Sequence, residues 1–228
     1  MSIQTEFSRY AEAYGDYNVI QRQVVAKLLS DIGDERPQRI LDLGCGNGTL
    51  YSALTWQPQH FVGIDFAPRM LELHPKMGQI ECIYGDFNDP NLFEHLRHMR
   101  FDRIFSGSAL QWSKDLKKTF AMVASLNAPV SLALFTSKTF ATLFETAGLQ
   151  PLLRSSDEIA EAAAECFGIE LEVVEYRLAF ESTREMFRYI KRSGVSAGRN
   201  VLGYKETKRL MEAYPLDYLE FEVVFIRT

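Results

Sequence analysis

Five short apolar runs, RILDLG (39–44), HFVGID (60–65), QIECIYG (79–85), FDRIFSG (101–107) and PVSLALFTS (129–137), alternate with amphipathic stretches along the first part of the chain. Each run has strand length and is bounded by turn residues, and helical patterns fall at 48–56, 68–74, 91–99 and 114–126. Pro68 suits a first helical turn and Ser113 suits the cap of the last of these helices, while Pro58, Pro90 and Pro129 punctuate loops. Strands joined through helices must run parallel, and a parallel sheet needs cover on both faces. The expected class is therefore α/β, doubly wound. Two later stretches, IELEVVEYRLAF (169–180) and YLEFEVVFIR (218–227), alternate like strands of the same sheet, one of them antiparallel, with helices between them.

The 228 residues, 46% hydrophobic and 24% charged, suit a single globular domain with a full core and exclude disordered or collagen-like classes. No apolar run has the roughly 20 residues of a membrane span, and the first residues are too polar for a signal peptide, so a cytoplasmic location is expected. Cys45, Cys82 and Cys166 are scattered and form no C-x-x-C, which argues for reduced thiols and against a thiolate metal site. The histidines, His60 and His74 in loops and His95 and His98 on one helix face, have no co-ligands at metal-binding spacing, so no metal is expected. A net charge of −5 argues against non-specific nucleic-acid binding.

The first strand runs directly into LDLGCGNG, residues 41–48. Gly44, Gly46 and Gly48 permit positive φ and close approach of a ligand to the backbone. Their spacing, G-x-G-x-G, meets neither the dinucleotide fingerprint nor the phosphate loop of nucleotide hydrolases. The loop also has no lysine or arginine for a phosphate, and Asp42 stands near its start, so a ligand carrying positive charge fits better. In an open α/β sheet, ligands bind beyond the carboxyl ends of the strands. Asp65 closes the second strand where an acid accepts from ribose hydroxyls. Asp86, in YGDFND, is placed to take an adenine amine beside the N–H and apolar surface of Phe87; as a turn or helix-cap acid it needs no ligand.

LDLGCGNG, VGIDFAPRML, GDFND and FDRIFSGSALQW resemble the class I S-adenosylmethionine-dependent methyltransferases across residues 36–137. The resemblance implies a Rossmann-like fold with a mostly parallel seven-stranded sheet. It also implies a cofactor site from Asp42, Gly44, Cys45, Gly46, Gly48, Asp65, Phe66, Asp86, Phe87 and Ser106, with S-adenosylhomocysteine as the product. FSRYAEAYGDYNVIQRQ (7–23), SALQW (108–112), KRSG (191–194) with Gly198-Arg199, and the terminal strand are similar to the malonyl-acyl carrier protein O-methyltransferases of biotin synthesis. By that likeness Tyr14 and Gln21 of an N-terminal lid cover the cofactor and shape the acceptor site with Trp112. Residues 1–35 then form lid helices, 36–137 the cofactor-binding core, and 138–228 the substrate-side helices and last strands. Phe7, Tyr10, Tyr14 and Tyr17 equally suit the packed face of a helix. Ser106-Gly107 departs from the Ser-Asn or Ala-Asn of many relatives, and Asn127-Ala128-Pro129 from their usual Pro-Gly-Gly.

From Ser182 to Arg209 the chain carries Arg184, Arg188, Lys191, Arg192, Arg199, Lys205, Lys208 and Arg209 against Glu185 and Glu206, eight positive charges less two, or +6. STREMFRYIKRSG opens on a Ser-x-x-Glu capping box and places Met186, Phe187, Tyr189 and Ile190 on an apolar side. A solvated face accounts for such a run. That is the ordinary account of a charge run; the sharper reading is a docking face for an acidic carrier protein, with Arg199 pairing the acyl carboxylate. The acceptor expected is malonyl-acyl carrier protein or malonyl-coenzyme A. The alternatives are another small carboxylic acid such as trans-aconitate, or a non-catalytic nucleotide-binding module.

Overall fold

The structure, a computed structural model, describes residues 17–168, 170–192 and 203–228. Seven strands form one sheet: β1 (Arg39–Leu43), β2 (His60–Asp65), β3 (Ile80–Tyr84), β4 (Arg103–Gly107), β5 (Val130–Phe135), β6 (Glu170–Ala179) and β7 (Tyr218–Arg227), in the order β3-β2-β1-β4-β5-β7-β6. β1 pairs parallel with β2 and β4, and the first five strands all run the same way. β7 is antiparallel to both β5 and β6, so the sheet is mostly parallel with one reversed strand, as the alternating tail suggested. The chain moves outward from β1 to β3 and then returns to lay β4 beside β1. That reversal opens a crevice at the carboxyl ends of β1 and β4.

Strand parity divides the core in two. Ile40, Phe61, Phe105, Ala133 and Phe135 face a layer formed with α1 (Val19–Asp31), α2 (Thr49–Ala53), the helix at Ala141–Ala147 and the C-terminal helices at Thr183–Arg192 and Tyr204–Ala213. Leu41, Val62, Ile64, Ile104 and Leu132 face the opposite layer, where Phe93, Phe120, Val123 and Ile159 come from the helices at Pro90–Leu96, Leu116–Ala124 and Ser156–Ala164. A short helix at Pro68–Leu73 completes the crossover between β2 and β3. In chain order these later helices are α3 (Pro68–Leu73), α4 (Pro90–Leu96), α5 (Leu116–Ala124), α6 (Ala141–Ala147), α7 (Ser156–Ala164), α8 (Thr183–Arg192) and α9 (Tyr204–Ala213). Among the described residues, no helix is long and apolar enough to cross a membrane.

Local chemistry sets the helix starts, and it corrects several expected boundaries. Pro68 does open α3, but Pro90 also opens a helix, with Asp89 accepting the Asn91 N–H as its cap. α5 is capped by Asp115, which accepts from the Lys118 N–H, and not by Ser113. The Ser113 hydroxyl is instead 2.6 Å from that of Thr119, buried inside the first turn. Residues 110–112 form a separate 3-10 turn. His60 is the first residue of β2 and not a loop histidine, whereas His74 follows the last residue of α3 in extended backbone, a loop position as expected, with its side chain buried.

Candidate functional site

The glycine loop leaves β1 and folds back at once. The Gly44 and Cys45 N–H groups both donate to the Ile64 carbonyl, at 2.8 and 2.9 Å, which pins the turn to the end of β2. Gly44 has φ +78°, and a Cβ there would lie 2.1 Å from the Cβ of Ala109, in the segment after β4. Glycine is thus required twice over, by conformation and by the closeness of two loops. Gly46 has φ +54° with open space around the position of a Cβ, leaving its backbone approachable. Gly48 ends the loop and precedes α2.

Two carboxylates converge on this loop. Asp65, at the end of β2, accepts the Gly46 N–H through Oδ2 at 2.9 Å and the Ala67 N–H through Oδ1 at 2.8 Å. Burial nonetheless raises its pKa, outweighing those hydrogen bonds and one from the Phe66 N–H. Asp42 is 2% exposed on β1, and its carboxylate accepts no hydrogen bond among the described residues. Burial, and then the nearby Asp65 charge, pushes Asp42 up to about 8. Cys45 is buried, and desolvation drives its thiol well above the ordinary range, so it is no nucleophile. An uncompensated pair of acids at a backbone turn favours a cationic ligand.

Asp86 follows β3 half-buried. Its Oδ1 accepts both the backbone and the side-chain N–H of Asn88, the local turn that needs no ligand. Asn88 Oδ1 in turn accepts the Lys114 N–H at 2.8 Å, tying the loop after β3 to the segment after β4. The ring of Phe87 is buried in the second core layer, so its apolar surface is spent on packing. Ser106 is fully buried and its hydroxyl donates to the Leu43 carbonyl at 2.7 Å. What Ser106 brings to the crevice is the position of the loop after β1, not an exposed hydroxyl. Phe66 is half-buried beside Asp65.

The start of α1 meets the end of the glycine loop, where Asn18 touches Thr49. Gln21 is 6% exposed and its Oε1 has no hydrogen-bond partner; Asn18, one turn earlier, is buried, donates to Thr49 Oγ1 at 3.2 Å and leaves its own Oδ1 unpartnered. The segment after β4 holds another such group. Gln111 donates to the Ser108 carbonyl at 2.7 Å while its buried Oε1 has no partner. Ser108 takes φ +69°, a strained conformation for a residue with a side chain. Trp112 is half-buried at the end of the 3-10 turn. Asn18, Ser108 and Gln111 belong to no spaced motif; the i, i+3 relation of Asn18 to Gln21 and the place of Gln111 inside SALQW are the signals that mark them. Buried amide oxygens without partners are costly, and a hydrogen-bond donor on a ligand satisfies them.

Tyr14 and Arg199 lie outside the described residues, as do the side chains of Lys191 and Arg192. Tyr17, the described end of the N-terminal aromatic series, packs its ring 6.2 Å from that of Tyr189 on α8. No three His, Cys, Asp or Glu side chains group as metal ligands among the described residues.

The sequence profile of a family described as "Methyltransferase domain" matches residues 40–129, which run from β1 to the start of β5. The chain is 28% identical over 214 residues to the malonyl-[acyl-carrier protein] O-methyltransferase of Chlorobium phaeovibrioides, covering 86% of this chain and 80% of that one. It is 27% identical over 227 residues to malonyl-[acyl-carrier protein] O-methyltransferase 2 of Coxiella burnetii, covering 94% and 88%. Among solved structures, the YcgJ protein of Bacillus subtilis superposes with a TM-score of 0.63 at 13% identity, covering 90% of this chain and 97% of that one. Phosphoethanolamine N-methyltransferase 2 of Haemonchus contortus, solved with S-adenosyl-L-methionine, gives a TM-score of 0.55 at 17% identity, covering 90% of this chain and 51% of that one. Sheet order and profile agree: the chain carries a methyltransferase domain over residues 40–129 and shares its fold with solved methyltransferases.

Proposed function

We propose that the chain transfers a methyl group from S-adenosylmethionine to the free carboxylate of a malonyl group held as a thioester on acyl carrier protein, a step of biotin synthesis. One observation carries the reading. The likeness to curated malonyl-[acyl-carrier protein] O-methyltransferases extends over 86–94% of the chain in the relatives above, well beyond the 40–129 span that the methyltransferase profile covers.

The donor set at the crevice fits the cofactor. Asp42 and the unpartnered oxygens of Gln21 and Gln111 are acceptors, residues 41–48 include no lysine or arginine, and S-adenosylmethionine carries an ammonium and a sulfonium. When bound, it supplies an electrophilic methyl group. Asp42 and the two amide oxygens then attract the ammonium, Asp65 accepts from the ribose, and Asp86 with the Phe87 N–H receives the adenine edge. The acceptor asks little proton chemistry of the protein, because a free carboxylate with a pKa near 4 is already ionised at neutral pH. Orientation and exclusion of water remain to be supplied. Trp112 serves as a wall for the acceptor, with Tyr14 over the cofactor and Arg199 on the malonyl carboxylate.

The carrier protein docks, on this reading, against the basic C-terminal helices. Met186 and Tyr189 bury one side of α8 while Arg184 and Arg188 stand exposed, and Lys205, Lys208 and Arg209 are exposed on α9. Lys191 and Arg192 continue the same run in sequence. The test is mass-spectrometric detection of methyl transfer to malonyl-acyl carrier protein, with malonyl-coenzyme A and trans-aconitate run in parallel. Methyl ester on the carrier-bound malonyl group, lost in Asp65→Ala, is the expected result. Methylation of trans-aconitate alone refutes the assignment.

A further inference from the structure

Arg154 belongs to no motif, yet its guanidinium joins segments forty residues apart. It lies half-buried in the stretch that precedes α7. Nη2 donates to the carbonyl of Ser113 at 2.8 Å and to that of Lys114 at 3.2 Å, and Nη1 reaches the Gln111 carbonyl at 3.4 Å. Those carbonyls end the 3-10 turn that presents Trp112, where a short helix leaves its last oxygens without internal partners. The backbone of the same residue holds the other side: the Ser137 N–H, just after β5, donates to the Arg154 carbonyl at 2.8 Å. Trp112 and Thr136, Ser137, Thr139, Phe140 and Phe144 of that second segment line one narrow crevice.

We propose that Arg154 is a positioning residue for the methyl acceptor, clamping Trp112 against the 136–140 segment so that the two walls of this crevice keep a fixed separation. The inference rests on the crevice receiving the acceptor in the reaction proposed above. A planar guanidinium suits the task because its donors form a fixed fork that reaches several carbonyls at once, whereas an ammonium is a single point on a flexible stem. Among the described residues Arg154 is in no ion pair, so its hydrogen bonds go to the backbone of the Trp112 segment and not to a carboxylate. The cofactor loop is anchored independently, through Asp65 and the Ile64 carbonyl.

The test uses the full chain with Arg154→Met and Arg154→Lys, each also made with Trp56→Phe so that Trp112 is the single tryptophan. In Arg154→Met, Trp112 emission shifts to the red and becomes more accessible to acrylamide. The kcat/KM for the malonyl thioester falls by about tenfold to a hundredfold, the cost of a small misplacement in an oriented site. The Kd for S-adenosylhomocysteine changes far less, and Arg154→Lys recovers part of both signals. Unchanged Trp112 fluorescence overturns the clamp, and so does a loss that falls equally on S-adenosylhomocysteine binding and on the acceptor. If the wild-type chain does not methylate a malonyl thioester, the proposed reaction fails, and the fluorescence of the two variants still decides whether Arg154 holds Trp112.

Discussion

Replacing Asp42 by asparagine keeps the outline of a side chain that is 2% exposed on β1 and removes its ionisation. Burial and the adjacent Asp65 carboxylate push its pKa from an ordinary 3.8 up to about 8. An acid whose pKa is higher folded than unfolded binds its proton more tightly in the folded state. Its favourable contribution is complete in acid and is lost as pH rises through the window from about 4 to 8, at about 1.4 kcal/mol per pH unit. Between about pH 5.5 and pH 7.5 the ligand-free wild-type protein therefore loses about 3 kcal/mol to this one group. For a domain of this size that is a fall in Tm of roughly 6–12 °C. Asp42→Asn is expected to escape that fall and to be the more stable protein at the higher pH. Urea and thermal unfolding of both proteins at the two pH values, without cofactor, is the assay. Asp65 and Cys45 are also raised, Cys45 in part by the Asp42 charge, so the difference between the two curves reports Asp42 together with its coupling to these neighbours. Parallel curves would refute the reasoning. Placing a cation at the loop reverses the preference, so binding of S-adenosylmethionine near pH 7 should expel up to about one proton, measurable by calorimetry in buffers of different ionisation enthalpy.

Gly44→Ala forces a Cβ into a φ of +78° and to within 2.1 Å of Ala109, and should cost roughly 2–5 kcal/mol in urea unfolding; wild-type stability would contradict the loop-on-loop contact. Asp65→Asn leaves one oxygen to accept from Gly46 and Ala67, and should weaken S-adenosylhomocysteine binding by roughly 1.5–3 kcal/mol in titration calorimetry, the scale of a hydrogen bond to a charged group. An affinity equal to wild type would remove Asp65 from the cofactor site. Reversing Arg184 and Arg188 to glutamate, both exposed, should leave stability within about 0.5 kcal/mol. The same pair should slow methylation of the carrier-bound substrate at low salt, an effect that fades as salt screens the charges, while malonyl-coenzyme A is methylated as before. Equal slowing on both substrates speaks against docking.

The sheet was legible because its signals are periodic and local. Short apolar runs separated by helix patterns define parallel strands, and the alternating stretch that became β7 announced a strand of another kind. Boundaries failed where two residues compete for one role. Ser113 and Asp115 both suit a cap, and only the packed structure shows the Ser113 hydroxyl drawn to Thr119. Side-chain direction was also beyond the sequence: Ser106 and Phe87 stand at strand ends where a ligand group is expected, yet one is spent on the Leu43 carbonyl and the other on the core.

The two halves of the crevice differ in legibility for a physical reason. The groups proposed to hold the cofactor sit at fixed offsets from strand ends and include main chain, so a glycine spacing and an acid at the close of β2 mark them. The proposed acceptor side is assembled from residues far apart in the chain. β7, running antiparallel, enters beside the end of β5 and brings Glu220 to the Thr142 hydroxyl and Glu222 to that of Thr136, each at 2.7 Å. Arg154 likewise reaches the carbonyl of Ser113, 41 residues earlier in the chain. None of these pairs has a spacing that a sequence pattern could register, because each exists only after the strands on either side have docked. Glycine loops and strand-end acids can therefore point to a methyltransferase from sequence, while the walls proposed to receive its acceptor must be read from the folded chain.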